Sequence, residues 1–226
     1  MEADSRKLGL ALCLVVGVAV VAVVFGLLAV GARATVTGDT PAERIESIKR
    51  IADERPWGAS SALARAVREE PDLEVRRTAL LALGGFIEGD HRALVDESAG
   101  DDSGALRGAA ARALGRYGDA PAVDRLGKMV MADADPDVRM EALTGLGRCP
   151  TPKATALLFR AMETNSNPRV QMRALQVLLR RLQASHSTPP RPGTPEWARL
   201  VDFLRQTKTV TQALETLSNQ GGEDRK

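Results

Sequence analysis

The chain has 226 residues, with 31 lysines and arginines against 29 aspartates and glutamates, so its formal net charge is only +2. This near-balance gives no electrostatic reason to expect a nucleic acid as partner, and an aromatic content of 3% argues against a base-stacking surface. Two histidines and two cysteines leave little material for a metal site, and a disulfide framework is excluded because Cys13 lies in an apolar run.

The first predicted element is a long apolar helix. Residues 8–30 contain neither a charged residue nor a proline. As a helix they extend over roughly 34 Å, which is enough to cross a hydrocarbon core of about 30 Å. We therefore predict a short tail at residues 1–7, a single transmembrane helix at residues 8–30 and a linker at residues 31–40.

Two kinds of signal peptide are the alternatives for this run. A cleaved secretory signal would use the small-x-small sequence Ala32-Arg33-Ala34, but its apolar stretch is usually shorter, at about 7–15 residues. A lipoprotein signal would need a small residue before Cys13, where Leu12 stands instead.

The charges beside the run predict its orientation. Arg6 and Lys7 precede it and Arg33 follows it, which favours a cytoplasmic N-terminus and an extracytoplasmic domain. Basic residues from Arg44 onwards favour the opposite orientation. Small residues also recur at helical spacing within the run, so a weak homodimer through the transmembrane helix is a further hypothesis.

The rest of the sequence repeats every 31 or 32 residues. Each copy has an apolar anchor, an alanine four residues later and a leucine eight residues later, which together form one stripe of a helix. A period in this range is typical of stacked repeats. The anchors are Val75, Leu106, Val138 and Val170. A fainter upstream copy has Ser47, Ile48, Ile51 and Ala52 in the matching places.

Each copy predicts a helical hairpin. We expect Gly84, Gly115 and Gly147 to end the first helix, because glycine enters the left-handed conformation without cost. A second apolar stretch follows each of them, and no alternation of period two appears. The predicted fold is therefore all-α, an α-α superhelix of about five helical hairpins over residues 41–219 plus the N-terminal transmembrane helix.

An acid and an arginine also recur in register, six residues apart. The acid lies five residues before the anchor and the arginine one residue after it, and both become amides in the last copy. We predict that the acid at the end of one repeat binds the arginine that begins the next helix, which would form a ladder of hydrogen bonds between successive repeats. The alternative is that these are ordinary solvated charges near helix starts. The ladder residues are Glu70, Arg76, Asp101, Arg107, Asp133, Arg139, Asn165 and Gln171.

These copies resemble HEAT repeats, especially the short HEAT-like units of proteins related to bilin lyases. The resemblance covers about residues 41–184. It is clearest at Asp133, Val138, Arg139, Ala142, Leu143, Leu146 and Gly147. HEAT units similarly carry an acid and an arginine six residues apart, so the resemblance assigns an inter-repeat role to Asp133 with Arg139, Asp101 with Arg107 and Glu70 with Arg76. It implies a fold that hosts scaffolds, adaptors and a few enzymes.

The C-terminal part departs from the repeat. Residues 185–195 contain four prolines, which prevent a helix, so we interpret them as an insert rather than as a ligand for an aromatic groove. A helix beginning at Thr194 has an apolar face of Trp197, Leu200, Val201 and Leu204. We predict a short helix at residues 209–217 that covers the open end of the repeat stack, and a disordered tail at residues 220–226.

No catalytic arrangement emerges from the sequence. His91 is followed by Arg92 and His186 by Ser187, so the His-Glu pairs of HEAT-like di-iron hydroxylases are missing. We therefore expect no enzyme activity, no cofactor and no metal.

A nucleic-acid groove is not expected either. Lys128 and Arg160 fall in register on second helices, but Glu97 and Ala66 occupy the equivalent earlier positions. The predicted function is a membrane-anchored scaffold or adaptor that binds another protein through its second helices. The alternatives are a lyase-like enzyme or chaperone for tetrapyrrole attachment, and a structural subunit of an envelope complex.

Overall fold

The computed structural model describes residues 33–87, 91–184, 195, 198–203 and 205, and all regular secondary structure in these residues is helical. They belong to two compact units, which divide between His91 and Arg92. The helices of the first unit are α1 Pro41–Glu54, α2 Ala59–Glu69 and α3 Leu73–Leu83. Those of the second unit are α4 Arg92–Ser98, α5 Gly104–Tyr117, α6 Ala120–Ala132, α7 Pro136–Arg148, α8 Pro152–Thr164 and α9 Pro168–Ala184.

Local sequence signals set the ends of the helices in the first unit. The Thr40 hydroxyl accepts from the backbone N–H of Glu43, whose carboxylate accepts from the N–H of Thr40, so α1 begins with a capping box. It ends at Arg55, which is left-handed with φ 48°. A turn at Trp57 leads into α2, and the Asp72 carboxylate caps α3.

The core of the first unit confirms the faint upstream copy. Ser47, Ile48 and Ile51 are buried on α1, and Ala52 is half-buried. Helix α3 packs on both α1 and α2. The stripe of apolar residues in the sequence therefore reports burial correctly even where the copy is weak.

The second unit stacks the predicted repeats. Its first helices are α5, α7 and α9, with α7 packed against both of the others, while the second helices α6 and α8 pack against one another. Every anchor of this unit is buried, as is every central alanine. These residues are Leu106, Val138, Val170, Ala110, Ala142 and Ala174. The prediction of an all-helical hairpin repeat is thus confirmed for the described residues.

The prediction that glycine ends each first helix was wrong at two of its three positions. Gly84 follows α3, but with a right-handed φ of −59°. Gly115 and Gly147 lie inside α5 and α7, which continue to Tyr117 and Arg148. A Cβ on Gly115 would lie 2.4 Å from the Cα of Gly145, so glycine is needed here for contact between two helix backbones rather than for a turn.

Cys149 lies beside this contact. Its Sγ is 3.4 Å from the carbonyl oxygen of Gly145 and 3.9 Å from that of Gly115, and the residue is fully buried. Burial raises the pKa of the Cys149 thiol, so the thiol stays protonated at neutral pH. Its role in the described residues is packing.

The C-terminal predictions lie partly outside the described residues. Residues 198–203 are helical, with Leu200 and Phe203 buried and Val201 half-buried. Trp197 and Leu204, most of the 185–195 insert, the helix at 209–217 and the tail at 220–226 lie outside.

The predicted transmembrane helix at 8–30 lies outside the described residues as well. Among the residues that are described, no helix has the length and the apolar character needed to cross a membrane. The linker is described from Arg33, and residues 33–38 have no regular secondary structure. It is held against α1, where the backbone N–H of Thr37 donates to the Oγ of Ser47 at 3.1 Å.

Candidate functional site

The predicted ladder residues meet most completely at Arg107. Its Nε and Nη2 donate to the two carboxylate oxygens of Asp133, at 2.9 and 3.0 Å. Its Nη1 donates to the backbone carbonyls of Asp101 and Asp102, both at 2.9 Å. One guanidinium therefore joins the loop before α5 to the loop before α7, in the two-pronged geometry that makes arginine–carboxylate pairs strong.

This pair is sheltered from water. The Asp133 side chain is 8% exposed and that of Arg107 is 18% exposed. Burial alone would raise the pKa of the Asp133 carboxyl, but the hydrogen bonds from Arg107 and from the Asp135 N–H lower it below its ordinary value. The hydrogen bond to Asp133 in turn raises the pKa of Arg107. Both groups are charged at neutral pH.

The partners differ from the predicted ones in an informative way. An arginine six residues after an acid donates to the backbone carbonyl of that acid, as Arg107 does to Asp101 and Arg139 does to Asp133. The carboxylate of Asp133 instead pairs with the arginine 26 residues before it. The spacing of six residues therefore corresponds to a hydrogen bond from the arginine to a backbone carbonyl within one repeat. The carboxylate itself binds the arginine of the preceding repeat.

The first unit has an ion pair at the same spacing, through a residue that the sequence reasoning missed. Arg44 of α1 places its Nε 2.9 Å from the Oε2 of Glu70, again 26 residues later, but without the hydrogen-bond geometry of the Arg107–Asp133 pair. Both side chains are largely buried. The faint upstream copy could have identified Arg44, because the alignment of that copy places Arg44 at the position equivalent to Arg76. In Arg76 itself, Nε is buried without a hydrogen-bond acceptor among the described residues.

The amide positions do not bond to each other in the described part of the chain. Asn165 accepts from the N–H of Asn167 at 3.0 Å, and its Nδ2 donates to the carbonyl of Val130 at 3.4 Å. Gln171 is half-exposed. Arg139 donates through Nη1 to the Asp133 carbonyl at 2.9 Å, while its Nε is buried with no acceptor among these residues. This rung is therefore incomplete.

A separate surface lies on the second helices of the second unit. Asp124 and Lys128 are exposed on α6, and Lys153, Ala156 and Arg160 are exposed on α8. We call these five residues the α6–α8 face. Asp124 and Lys153 form an ion pair between the two helices. Lys128 and Arg160 lie 32 residues apart, at equivalent positions, and neither forms an ion pair with a described residue, so the face carries an excess of positive charge.

Two features fix the shape of this face. Close packing sets the spacing of its helices, since a Cβ on Gly127 would lie 2.9 Å from a methyl group of Leu157. At the far end of α8, Arg199 donates through Nε and Nη2 to the two oxygens of Glu163, at 2.5 and 2.7 Å. Its guanidinium also lies 4.4 Å from the centre of the Phe159 ring. The face is thus a preformed surface bounded by the helical residues 198–203.

The first unit contains a cavity of about 550 Å³ beside Trp57. We call it the Trp57 cavity. Its lining includes Arg33, Thr35, Trp57, Gly58, Ser61 and Arg65. The backbone N–H of Ala34 donates to the Trp57 carbonyl at 3.2 Å, and the Arg33 guanidinium lies 5.4 Å from the centre of the indole ring. The indole remains 58% exposed.

The comparison with known families decides what kind of repeat this is. The family profile of HEAT repeats matches residues 60–131 and 123–186, which together cover more than half of the chain. The chain belongs to the HEAT-repeat family. No curated protein matches it.

The contact between Arg107 and Asp133 links two stacked hairpins of this domain. Within the described residues, no group of three or more histidine, cysteine or acidic side chains is placed to hold a metal ion. His91 lies in a turn and is half-exposed, and His186 lies outside the described residues. Among the described residues, the α6–α8 face and the Trp57 cavity are candidate surfaces for a partner.

Proposed function

We propose that the chain is a membrane-anchored HEAT-repeat adaptor that binds an acidic surface of another protein through its α6–α8 face. HEAT repeats commonly act as protein-interaction solenoids, which supports the general class. The observation that carries the proposal is the pair of cations Lys128 and Arg160, which form no ion pair with a described residue and stand at equivalent positions on two packed helices. No enzyme activity and no cofactor form part of the proposal.

The rigidity of the face supports binding. Helices held by close packing and by the ion pair between Asp124 and Lys153 lose little conformational freedom when a partner docks. Two neighbouring positive charges increase the rate of encounter with an acidic partner and set the register of the complex. An anchor further raises the local concentration of the domain at the membrane.

The partner-binding part is tested by charge reversal. In affinity purification of the full chain from detergent extracts of native membranes, the double variant Lys128→Glu/Arg160→Glu should lose a partner that the wild type retains at fixed stoichiometry. The matched control is Arg148→Glu, because Arg148 is an exposed basic residue at the end of a first helix. Equal recovery of the partner by the wild type and the double variant would contradict the proposal.

The anchor rests on the apolar character of residues 8–30, in an N-in orientation with the HEAT domain outside the cytoplasm. The full chain should stay in the membrane pellet after alkaline carbonate extraction, and deletion of residues 1–32 should release it. Protease added to intact cells stripped of their outer barriers should digest the HEAT domain. A soluble full chain would refute the anchor, and protection from protease would reverse its orientation.

A further inference from the structure

The Trp57 cavity combines cationic, hydroxyl and aromatic groups. Arg33 and Arg65 line it, both are exposed, and neither forms an ion pair with a described residue. Ser61 adds a hydroxyl group to the same lining. Guanidinium groups present several N–H donors in a planar fork that matches the oxygens of a phosphate. Two arginines that have no ion-pair partner among the described residues therefore favour a phosphate-bearing ligand over a neutral or cationic one.

The place of the cavity in the chain indicates where that phosphate comes from. Arg33 follows the end of the apolar run by three residues, and three extended residues reach at most about 11 Å. The polar layer on each side of the hydrocarbon core is itself about 5–7 Å thick. If residues 8–30 cross the bilayer, Arg33 lies at or just beyond the lipid headgroups.

The exposed indole fits the same location. Trp57 is 58% exposed although it lines the cavity, and its carbonyl is hydrogen-bonded to the segment that leads directly from the apolar run. Tryptophan is enriched at membrane–water interfaces, where one part of its ring contacts apolar groups and the other remains wet. If a lipid phosphate occupied the cavity, the indole would be positioned to contact the glycerol region of that lipid.

We propose that the Trp57 cavity binds the phosphate headgroup of an anionic membrane lipid, held by Arg33 and Arg65 and covered by Trp57. This inference rests on the proposed membrane anchor. The bound headgroup gives the first unit a second attachment to the bilayer, which limits its rotation about the linker.

The test uses the full chain in dodecyl maltoside micelles, with Trp197→Phe introduced so that Trp57 is the one remaining tryptophan. Phosphatidylglycerol should produce a saturable change in Trp57 emission, with an affinity at least tenfold tighter than that of phosphatidylcholine. Arg33→Gln/Arg65→Gln should weaken the binding of phosphatidylglycerol by at least tenfold. The control Arg50→Gln/Arg68→Gln removes two exposed arginines that do not line the cavity and should change it less than twofold.

Native mass spectrometry of the same samples gives a second readout, retained lipid, that does not depend on emission. Equal binding of the two lipids, or unchanged binding in Arg33→Gln/Arg65→Gln, would overturn the inference. Inorganic phosphate that displaces phosphatidylglycerol at equal concentration would also overturn it, because the source would then be free phosphate. Each of these failures leaves carbonate resistance intact, whereas a full chain released by carbonate would show that the anchor itself is wrong.

Discussion

In the second unit, the interface between α5 and α7 and the interface between α7 and α9 are packed in different ways. Between α5 and α7, the backbones touch at Gly115 and Gly145, and the half-buried pair of Arg107 and Asp133 joins the helix starts. Between α7 and α9, the side chain of Val177 packs against Gly147. The corresponding pair is incomplete there, because an amide stands in place of the acid.

At the interface between α7 and α9, two arginines of α9 donate hydrogen bonds to residues of α7 and of the loop that follows it. Arg181 of α9 donates to the backbone carbonyl of Leu146 in the last turn of α7, at 3.1 Å, and to that of Thr151, the N-cap residue of α8, at 3.0 Å. Arg173 donates to the Thr144 hydroxyl at 3.1 Å. Carbonyl groups at a helix C-terminus need such donors, and a cation there also suits the helix dipole. The same repeat pattern is thus compatible with two kinds of interface. The α5–α7 interface has a backbone contact and a charged pair, and the α7–α9 interface has a side-chain contact and arginines that donate to backbone carbonyls.

The largest expected effect comes from breaking the backbone contact. Gly145→Ala would place a Cβ 2.6 Å from the Ala111 carbonyl oxygen, and we expect it to lower the free energy of unfolding by about 3 kcal/mol. Gly147→Ala meets the end of the Val177 side chain and should cost about 1 kcal/mol. The matched control is Gly108→Ala, whose Cβ would have ordinary contact with Glu141 and which should be neutral or stabilising. Urea unfolding measures all three, and equal effects would contradict the comparison.

The next largest loss of stability should come from replacing Asp133 of the α5–α7 interface by the amide found at the equivalent position of the α7–α9 interface. Asp133→Asn removes the negative charge that holds Arg107, and we expect a loss of about 2 kcal/mol in the free energy of unfolding. Glu97→Gln removes an exposed carboxylate and serves as control, with no measurable change. A shift of less than about 0.5 kcal/mol for Asp133→Asn, which is the error of such comparisons, would mean that the pair contributes nothing.

The same pair predicts a dependence on pH. The pKa of Asp133 is lower in the folded chain than in the unfolded chain, so its contribution is fully present above about pH 4 and is lost as pH falls through the folded pKa. The difference in stability between the wild type and Asp133→Asn should therefore shrink below about pH 4. Thermal unfolding from pH 6 down to pH 2 measures it, and a constant difference would argue against the ion pair.

The smallest effect should come from completing the amide layer. Asn165→Asp offers an acceptor to Arg139, whose Nε has none among the described residues, but loses one long hydrogen bond to the Val130 carbonyl. We expect a net gain of about 0.5–1 kcal/mol at pH 7. A loss of stability would show that Arg139 cannot reach position 165 as Arg107 reaches Asp133.

Periodicity predicted what repeats, because burial follows the apolar stripe directly. The anchors, the central alanines and the faint upstream copy were all found from spacing alone. The partner of each acid was not, and the reason is arithmetic. In a repeat of about 32 residues, an arginine six residues after an acid is always accompanied by another about 26 residues before it. Side-chain reach, which the sequence does not contain, decides between Arg107 and Arg139 as the partner of Asp133.

Contacts that depend on how separate elements pack were beyond the reach of the same reasoning. Gly115 stands where a glycine serves equally well in a turn or in a helix crossing, and only the packing of α7 distinguishes them. The Trp57 cavity joins the linker to a turn between helices, so neither Arg33 nor Trp57 belongs to the periodic pattern. The sequence showed that Lys128 and Arg160 of the α6–α8 face share a register. Only the coordinates show that neither forms an ion pair with a described residue.

Site-directed photo-crosslinking in intact native membranes tests the adaptor proposal most directly. A photoreactive residue at position 128 of the full chain should give a single protein adduct, which is lost when Arg160→Glu is added. The same residue at position 148, on the last turn of α7, should give no such adduct. Adducts of equal yield at both positions, or none at position 128, would contradict the assignment of the α6–α8 face as the binding surface.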